Sequence, residues 1–190
     1  MIYIPRAALI LTAGSGWLGR AIRWGQRTWG EPPSRVNHSL LVVEAGEWPA
    51  TNSVWEPIIT ESASVVRTVA LGCHKHDKLV IWDIEMTEEE RALVAGDVSR
   101  HQGRPYALLQ LFGQLIDNKL LFGANVFRRL AKYDPLDICS HLTGDAFQRI
   151  GITFGEPGYA QSPDDQDDFL RAHTTINGRK VTLLWDDFER

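Results

Sequence analysis

With 190 residues, 44% hydrophobic and 23% charged content, the chain has the composition of a soluble globular protein, long enough for one domain over residues 1–190 with a substantial core. A net charge of −4 at pH 7 offers no basic footprint for nucleic acid, and no apolar run reaches the about 18 residues of a transmembrane segment. Two cysteines, Cys73 and Cys139, are too few for a disulfide framework, and Met1 to Arg6 lacks the basic and long apolar regions of a signal peptide, so a reducing, cytoplasmic setting is the default expectation.

The first apolar run, Ala7–Thr12, has a strand's length. Ala13-Gly14-Ser15-Gly16 is a turn with Ser15 as the expected N-cap, and Trp17, Leu18, Ala21, Ile22 and Trp24 then recur at helical spacing. Arg20, Arg23 and Arg27 read as a solvated face of that helix. The Gly- and Pro-containing segment from Trp29 to Ser34 is a loop. Four strands follow: Ser39–Glu44, Pro57–Ser64, Val65–Leu71 and Lys78–Glu85, the last continuous enough in apolar character to be buried on both faces. Thr87-Glu88-Glu89-Glu90 is a capping box opening a helix that ends near His101-Gln102-Gly103. The Leu-, Phe- and Ile-rich stretch from Tyr106 to Lys132 reads as one or two helices broken near Gly123. Cys139 to Ile150 is a further helix, capped by Asp137 and closed by Gly151 at its C′ position. Ser162 and Pro163 open a short helix as cap and first residue, Asn177-Gly178 is a hairpin turn, and Lys180–Trp185 is a last strand. The resulting class is α+β, with an antiparallel sheet packed against helices. The seven tryptophans read mainly as core, although Trp17 and Trp24 would also suit the wall of a substrate groove.

The chemistry-bearing residues lie in three places. Cys139 falls in the first turn of its helix, where unpaired backbone N–H groups favour a thiolate and can later hold an oxyanion. His38, at the mouth of a strand, is rigidly placed for a general base. A base needs a partner on its second ring nitrogen. Glu61 sits in an otherwise apolar strand, and pairing of that strand beside Ser39–Glu44 would bring it to His38. Glu44, six residues along, would be roughly 20 Å away and reads as surface. His141, two residues after Cys139, is rotated by about 200° on a helix and is poorly placed to serve that thiol. His101 and His173 read as surface residues.

Cys73-His74-Lys75-His76 could suggest zinc, but no second cluster has matching spacing, and loop residues before the next strand are the simpler explanation. Gly14-Ser15-Gly16 lacks the lysine and spacing of a phosphate loop. Asp164, Asp165, Asp167 and Asp168 fit no calcium-loop spacing and read as a solvated, acidic helix start. No cofactor and no metal are expected.

In order along the chain, these segments resemble the circularly permuted papain-like proteins of the NlpC-type cysteine peptidase superfamily, in the YiiX/YebB-like branch, with lecithin–retinol acyltransferase-like enzymes as relatives. The resemblance runs from about Ala7 to Leu170. It rests on Leu9-Ile10-Leu11-Thr12 followed by Ser15-Gly16-Trp17-Leu18, on Asn37-His38-Ser39-Leu40-Leu41-Val42-Val43, and on Ile59-Thr60-Glu61-Ser62. Gly103-Arg104-Pro105-Tyr106, Ile138-Cys139-Ser140 and Ser162-Pro163-Asp164-Asp165 complete it. Asn37 stands where the family commonly has serine, Ser39-Leu40 replaces Val-Gly, His141 stands where glutamate is usual, and residues 177–190 extend beyond the likeness.

The resemblance implies a permuted papain-like fold and a cysteine hydrolase, an amidase or peptidase, with Cys139 as nucleophile, His38 as base and Glu61 as third member. Trp17, Asn37 and Tyr106 are candidate substrate contacts. The implied substrate carries an amide or ester bond in a peptide, a cell-wall cross-link or a lipid amide. The alternatives are an acyltransferase on lipid substrates and an inactive binding or structural module, for example in an effector or a phage assembly.

Overall fold

The computed structural model describes residues 1–14, 16–27, 33–49, 56–62, 65–105, 139–155, 157 and 161–189. The elements are β1 (Ile2–Ile4), β2 (Leu9–Ala13), α1 (Trp17–Gly25), β3 (His38–Glu44), β4 (Gly46–Trp48), β5 (Ile58–Ser62), β6 (Val66–Ala70), a 3-10 turn (Leu71–His74), β7 (Lys78–Ile84), α2 (Glu88–Ser99), α3 (Cys139–Gln148), α4 (Pro163–Ala172), β8 (Thr175–Ile176) and β9 (Arg179–Asp186). Seven strands form an antiparallel sheet in the order β6-β5-β3-β2-β7-β9-β8, and β1 pairs with β4 in a separate two-stranded ladder. The class is α+β. No helix among the described residues is long and apolar enough to cross a membrane.

Burial explains the sheet's centre. Every residue of β2 is buried, as are Leu79 to Trp82 of β7, so these two adjacent strands present apolar side chains to both faces. On one face Leu9, Leu11, Leu41, Val80 and Trp82 pack against Val94 and Val98 of α2, Leu142, Ala146 and Phe147 of α3, and Leu170 of α4. On the other, Ile10, Leu40, Val42, Ile59, Leu79 and Ile81 are covered by Ile4, Trp48 and Leu71. The small β1–β4 ladder supplies part of that second cover, and no strand was expected in either segment.

Local signals act as the residue types require. The Thr87–Glu90 box closes both ways: the Thr87 hydroxyl accepts the Glu90 N–H, and the Glu90 carboxylate accepts the Thr87 N–H. Ser162 and Asp165 close the same reciprocal box on α4, with Pro163 just inside the helix. Asn177 and Gly178 both adopt positive φ (51° and 80°), the geometry of a type I′ hairpin turn between β8 and β9. Gly151 has φ 77° just beyond α3.

Four expectations require correction. The N-cap of α1 is Gly16, which caps through no side chain; Ser15 lies outside the described residues. Trp17 and Trp24 are not core: α1 exposes them by 75% and 44%, while Trp48 and Trp82 are buried. Asp164 and Asp167 are buried, not solvated, because each has partners. Arg27 Nε lies 2.6 Å from Asp164 Oδ2, and Asp167 accepts from Trp82 Nε1 (3.1 Å) and Arg171 Nε (2.9 Å). Arg27 is therefore an ion-pair partner of α4, not part of a solvated stripe. The expected helices over 106–132, the Asp137 cap, Trp29, Trp55 and Tyr106 lie outside the described residues.

Candidate active site

His38 opens β3, whose partner β5 sets Glu61 directly opposite Leu40. His38 precedes Leu40 by two positions and so is the diagonal neighbour of Glu61 on the same face. The result is His38 Nε2 at 3.1 Å from Glu61 Oε2. The strand beyond, β6, puts Arg67 directly opposite Glu61, and its guanidinium reaches Oε1 through Nε (2.7 Å) and Nη2 (2.6 Å). The turn after β6 brings His74 Nε2 to 3.1 Å from Glu61 Oε2, and His74 Nδ1 to 2.9 Å from Asp77 Oδ2. Both nitrogens of His74 face carboxylate oxygens; burial works against a charged ring, but Glu61 and Asp77 push its pKa up.

Cys139 comes from the helical side. It is buried at the start of α3, in hydrogen-bond contact with the His38 ring and with the backbone amides of Ser39 and Ser140. Since Nε2 of His38 is committed to Glu61, Nδ1 is the nitrogen left for sulfur. Gln166 of α4 fixes this approach. Its side chain is fully buried; its carbonyl accepts from Ser39 Oγ (2.7 Å) and its amide donates to Ser140 O (3.1 Å) and Gln161 Oε1 (3.0 Å). One side chain thus ties the strand carrying His38 to the first turn of the helix carrying Cys139. The Ser140 hydroxyl adds a bond to Gln161 O (2.7 Å).

The electrostatics follow from these contacts. Burial works against a thiolate at Cys139, but His38 beside it and the two amides hold the thiol below its usual range. Burial likewise opposes a charged His38, yet the Cys139 sulfur and Glu61 push it up to about 10. The two shifts have one cause, a coupled thiolate–imidazolium pair. Burial would raise Glu61; His38, His74 and Arg67 instead hold it well below the usual carboxylate range. Cys73 goes the other way: burial and the Glu61 charge push its thiol up, leaving it the poorer nucleophile of the two.

The structure therefore brings Cys139, His38 and Glu61 together. Glu44 is exposed at the far end of β3, and His141 is buried behind Cys139 on α3. His173 is exposed, while His101 is half-buried. Asn37 serves the fold: its side-chain oxygen accepts the Gly14 N–H at 2.8 Å, holding the turn between β2 and α1 beside His38. Arg67, His74, Asp77 and Gln166 were not singled out from sequence as parts of this site. Arg67 had a signal, since a residue six positions after Glu61 across a tight hairpin falls opposite it; Gln166, one glutamine in an acidic helix, had none. Among the described residues, Glu61, Cys73 and His74 are the group able to hold a metal, with donor atoms all within 4.8 Å of one another; His76 is not part of it.

No family model matches the chain, and no curated protein matches it in sequence. A crystal structure does match: YiiX from Escherichia coli O157:H7, described as a metalloprotein and carrying the designation DUF1105. The two share a fold. The TM-score is 0.61 over 97% of this chain and 98% of YiiX, at 15% sequence identity. At that identity the likeness extends to the YiiX-like architecture, and the site must be argued from its own geometry.

Proposed function

We propose that the protein is a cysteine hydrolase that cleaves an amide or ester bond through a thioester on Cys139. The observation that carries this reading is the placement of the Cys139 thiol against a His38 ring whose other nitrogen is held by buried Glu61. The Cys139 thiolate attacks the carbonyl carbon of the substrate. Negative charge develops on the carbonyl oxygen, and backbone N–H groups in the first turn of α3 are the donors nearest to it. The His38 imidazolium gives its proton to the leaving amine or alcohol as the C–N or C–O bond breaks. Neutral His38 then takes a proton from water as its oxygen attacks the thioester carbon; the C–S bond breaks, freeing the acid and restoring the Cys139 thiolate beside the His38 imidazolium. Throughout, Glu61 holds the ring orientation and stabilises its charged form. Release to an alcohol or amine in place of water would make the same site an acyltransferase.

The substrate class is a peptide, cell-wall or lipid amide or ester. The reading is tested by incubating the protein with a panel of activated acyl esters and amides, followed by peptide mass spectrometry. An acyl adduct on the Cys139 peptide of wild type, absent from folded His38→Ala, supports it. Adducts on Cys73 alone, or equal acylation of both proteins, would refute it.

A further inference from the structure

We propose that Glu61, Cys73 and His74 form a binding site for a borderline-soft divalent cation of the Zn²⁺ class. The donor set is one carboxylate oxygen, one thiolate and one imidazole nitrogen, the mixture that suits zinc rather than calcium or magnesium. The spacing fits. Tetrahedral zinc with ordinary Zn–N, Zn–O and Zn–S bonds puts its ligand atoms about 3.4–3.6 Å apart. Here His74 Nε2 and Glu61 Oε2 are 3.1 Å apart, and all three donors lie within 4.8 Å of one another. A common centre asks His74 and Glu61 to part by a few tenths of an ångström and the longest separation, up to 4.8 Å, to shorten by as much as about 1.2 Å, a movement exposed Cys73 is placed to make.

The surroundings are those of a metal ligand. A zinc-bound histidine ordinarily donates its other ring N–H to a carboxylate, and His74 Nδ1 already does so to Asp77 at 2.9 Å. Glu61 is divided: Arg67 holds Oε1, while Oε2 faces the two histidines. A cation between Oε2 and His74 Nε2 replaces the proton there, and binding releases that proton and the one on Cys73 Sγ to solvent. The second lone pair of Oε2 still accepts from His38. Three protein ligands leave a fourth position open on the solvent side of Cys73 for water. Glu61 thereby belongs to two sites, so a bound ion reaches His38 through one carboxylate. That coupling rests on the hydrolase reading; the binding site does not.

The test is titration of chelator-stripped, full-length protein with Co²⁺, followed by displacement with Zn²⁺, reading the thiolate-to-cobalt charge-transfer band in the near ultraviolet. Wild type and Cys139→Ser are expected to bind one equivalent with the band. Cys73→Ser, a sulfur-to-oxygen change on an exposed side chain, should lose it. Asp77→Ala should keep the band but bind about 10- to 100-fold more weakly. No band in wild type, or a band that survives Cys73→Ser and vanishes in Cys139→Ser, would overturn the assignment. Because Cys139→Ser cannot form a thioester, a positive result in that variant is independent of whether the hydrolase reading stands.

Discussion

Glu61 is the residue on which the site turns. A carboxylate 2% exposed is costly unless its charge is matched, and here two histidines and an arginine converge on it. Arg67 is half exposed, so its solvent-side cost is small while its two short contacts fall on a buried oxygen. The arrangement makes Glu61 an anion that can hold His38 protonated. Glu61→Gln removes that charge, and its one amide oxygen cannot accept from His38, His74 and Arg67 together. The rate at which a small alkylating agent labels Cys139 near pH 6 should fall about tenfold or more, one pKa unit being tenfold. Circular dichroism should show the fold retained. An unchanged rate would mean that Glu61 is a structural ion-pair partner only.

At the scale of elements, precision comes from a few side chains that join neighbouring segments. Asn37 locks the turn before α1, and α1 can approach that turn only because residue 19 has no side chain. A Cβ there would lie 2.7 Å from the Gly14 carbonyl oxygen and 3.0 Å from Asn37 Nδ2. Gly19→Ala is therefore expected to destabilise by about 1–3 kcal/mol despite alanine's better helix propensity, read as a lower denaturant midpoint. Gln166 joins three elements. Gln166→Leu takes from buried Ser39 Oγ the acceptor it donates to, at about 1–3 kcal/mol for a buried polar group left unpaired. It should also raise the pH midpoint of Cys139 labelling, since α3 and β3 lose their tie; a stability loss with the midpoint unmoved would show Gln166 to be structural alone. The helix starts at Thr87 and Ser162 and the turn at Asn177 were legible in the sequence because local chemistry decides them. Asp164 and Asp167 were misread because Arg27 and Trp82 reach them from distant parts of the chain, of which periodicity along one helix carries no sign; Arg171, four residues after Asp167 on the same helix, was the one partner that spacing offered.

For the whole molecule, the α+β class and six of the nine described strands were readable from alternation and apolar runs. The order β6-β5-β3-β2-β7-β9-β8 was not, because pairing between segments as distant as β2 and β7 is set by shared burial rather than by adjacency. The pairing of β3 with β5 was the exception. A lone carboxylate in an apolar strand needs a buried partner, and a histidine at the mouth of the preceding long strand met that need. The sheet and α3 then bring residues 38, 61 and 139 to one point, which is the central claim. It is tested most directly by the rate of Cys139 alkylation against pH, in chelator-treated wild type and His38→Ala, with peptide mapping to separate Cys139 from Cys73. A depressed Cys139 beside a raised His38 means that the thiolate is already formed well below the ordinary thiol range and that the ion pair persists until His38 deprotonates at about 10. The account predicts fast labelling at neutral and mildly acid pH in wild type. In His38→Ala the profile should become slow, rising only near the free-cysteine pKa of about 8.5. An ordinary thiol profile in wild type, unchanged by removing His38, would contradict it.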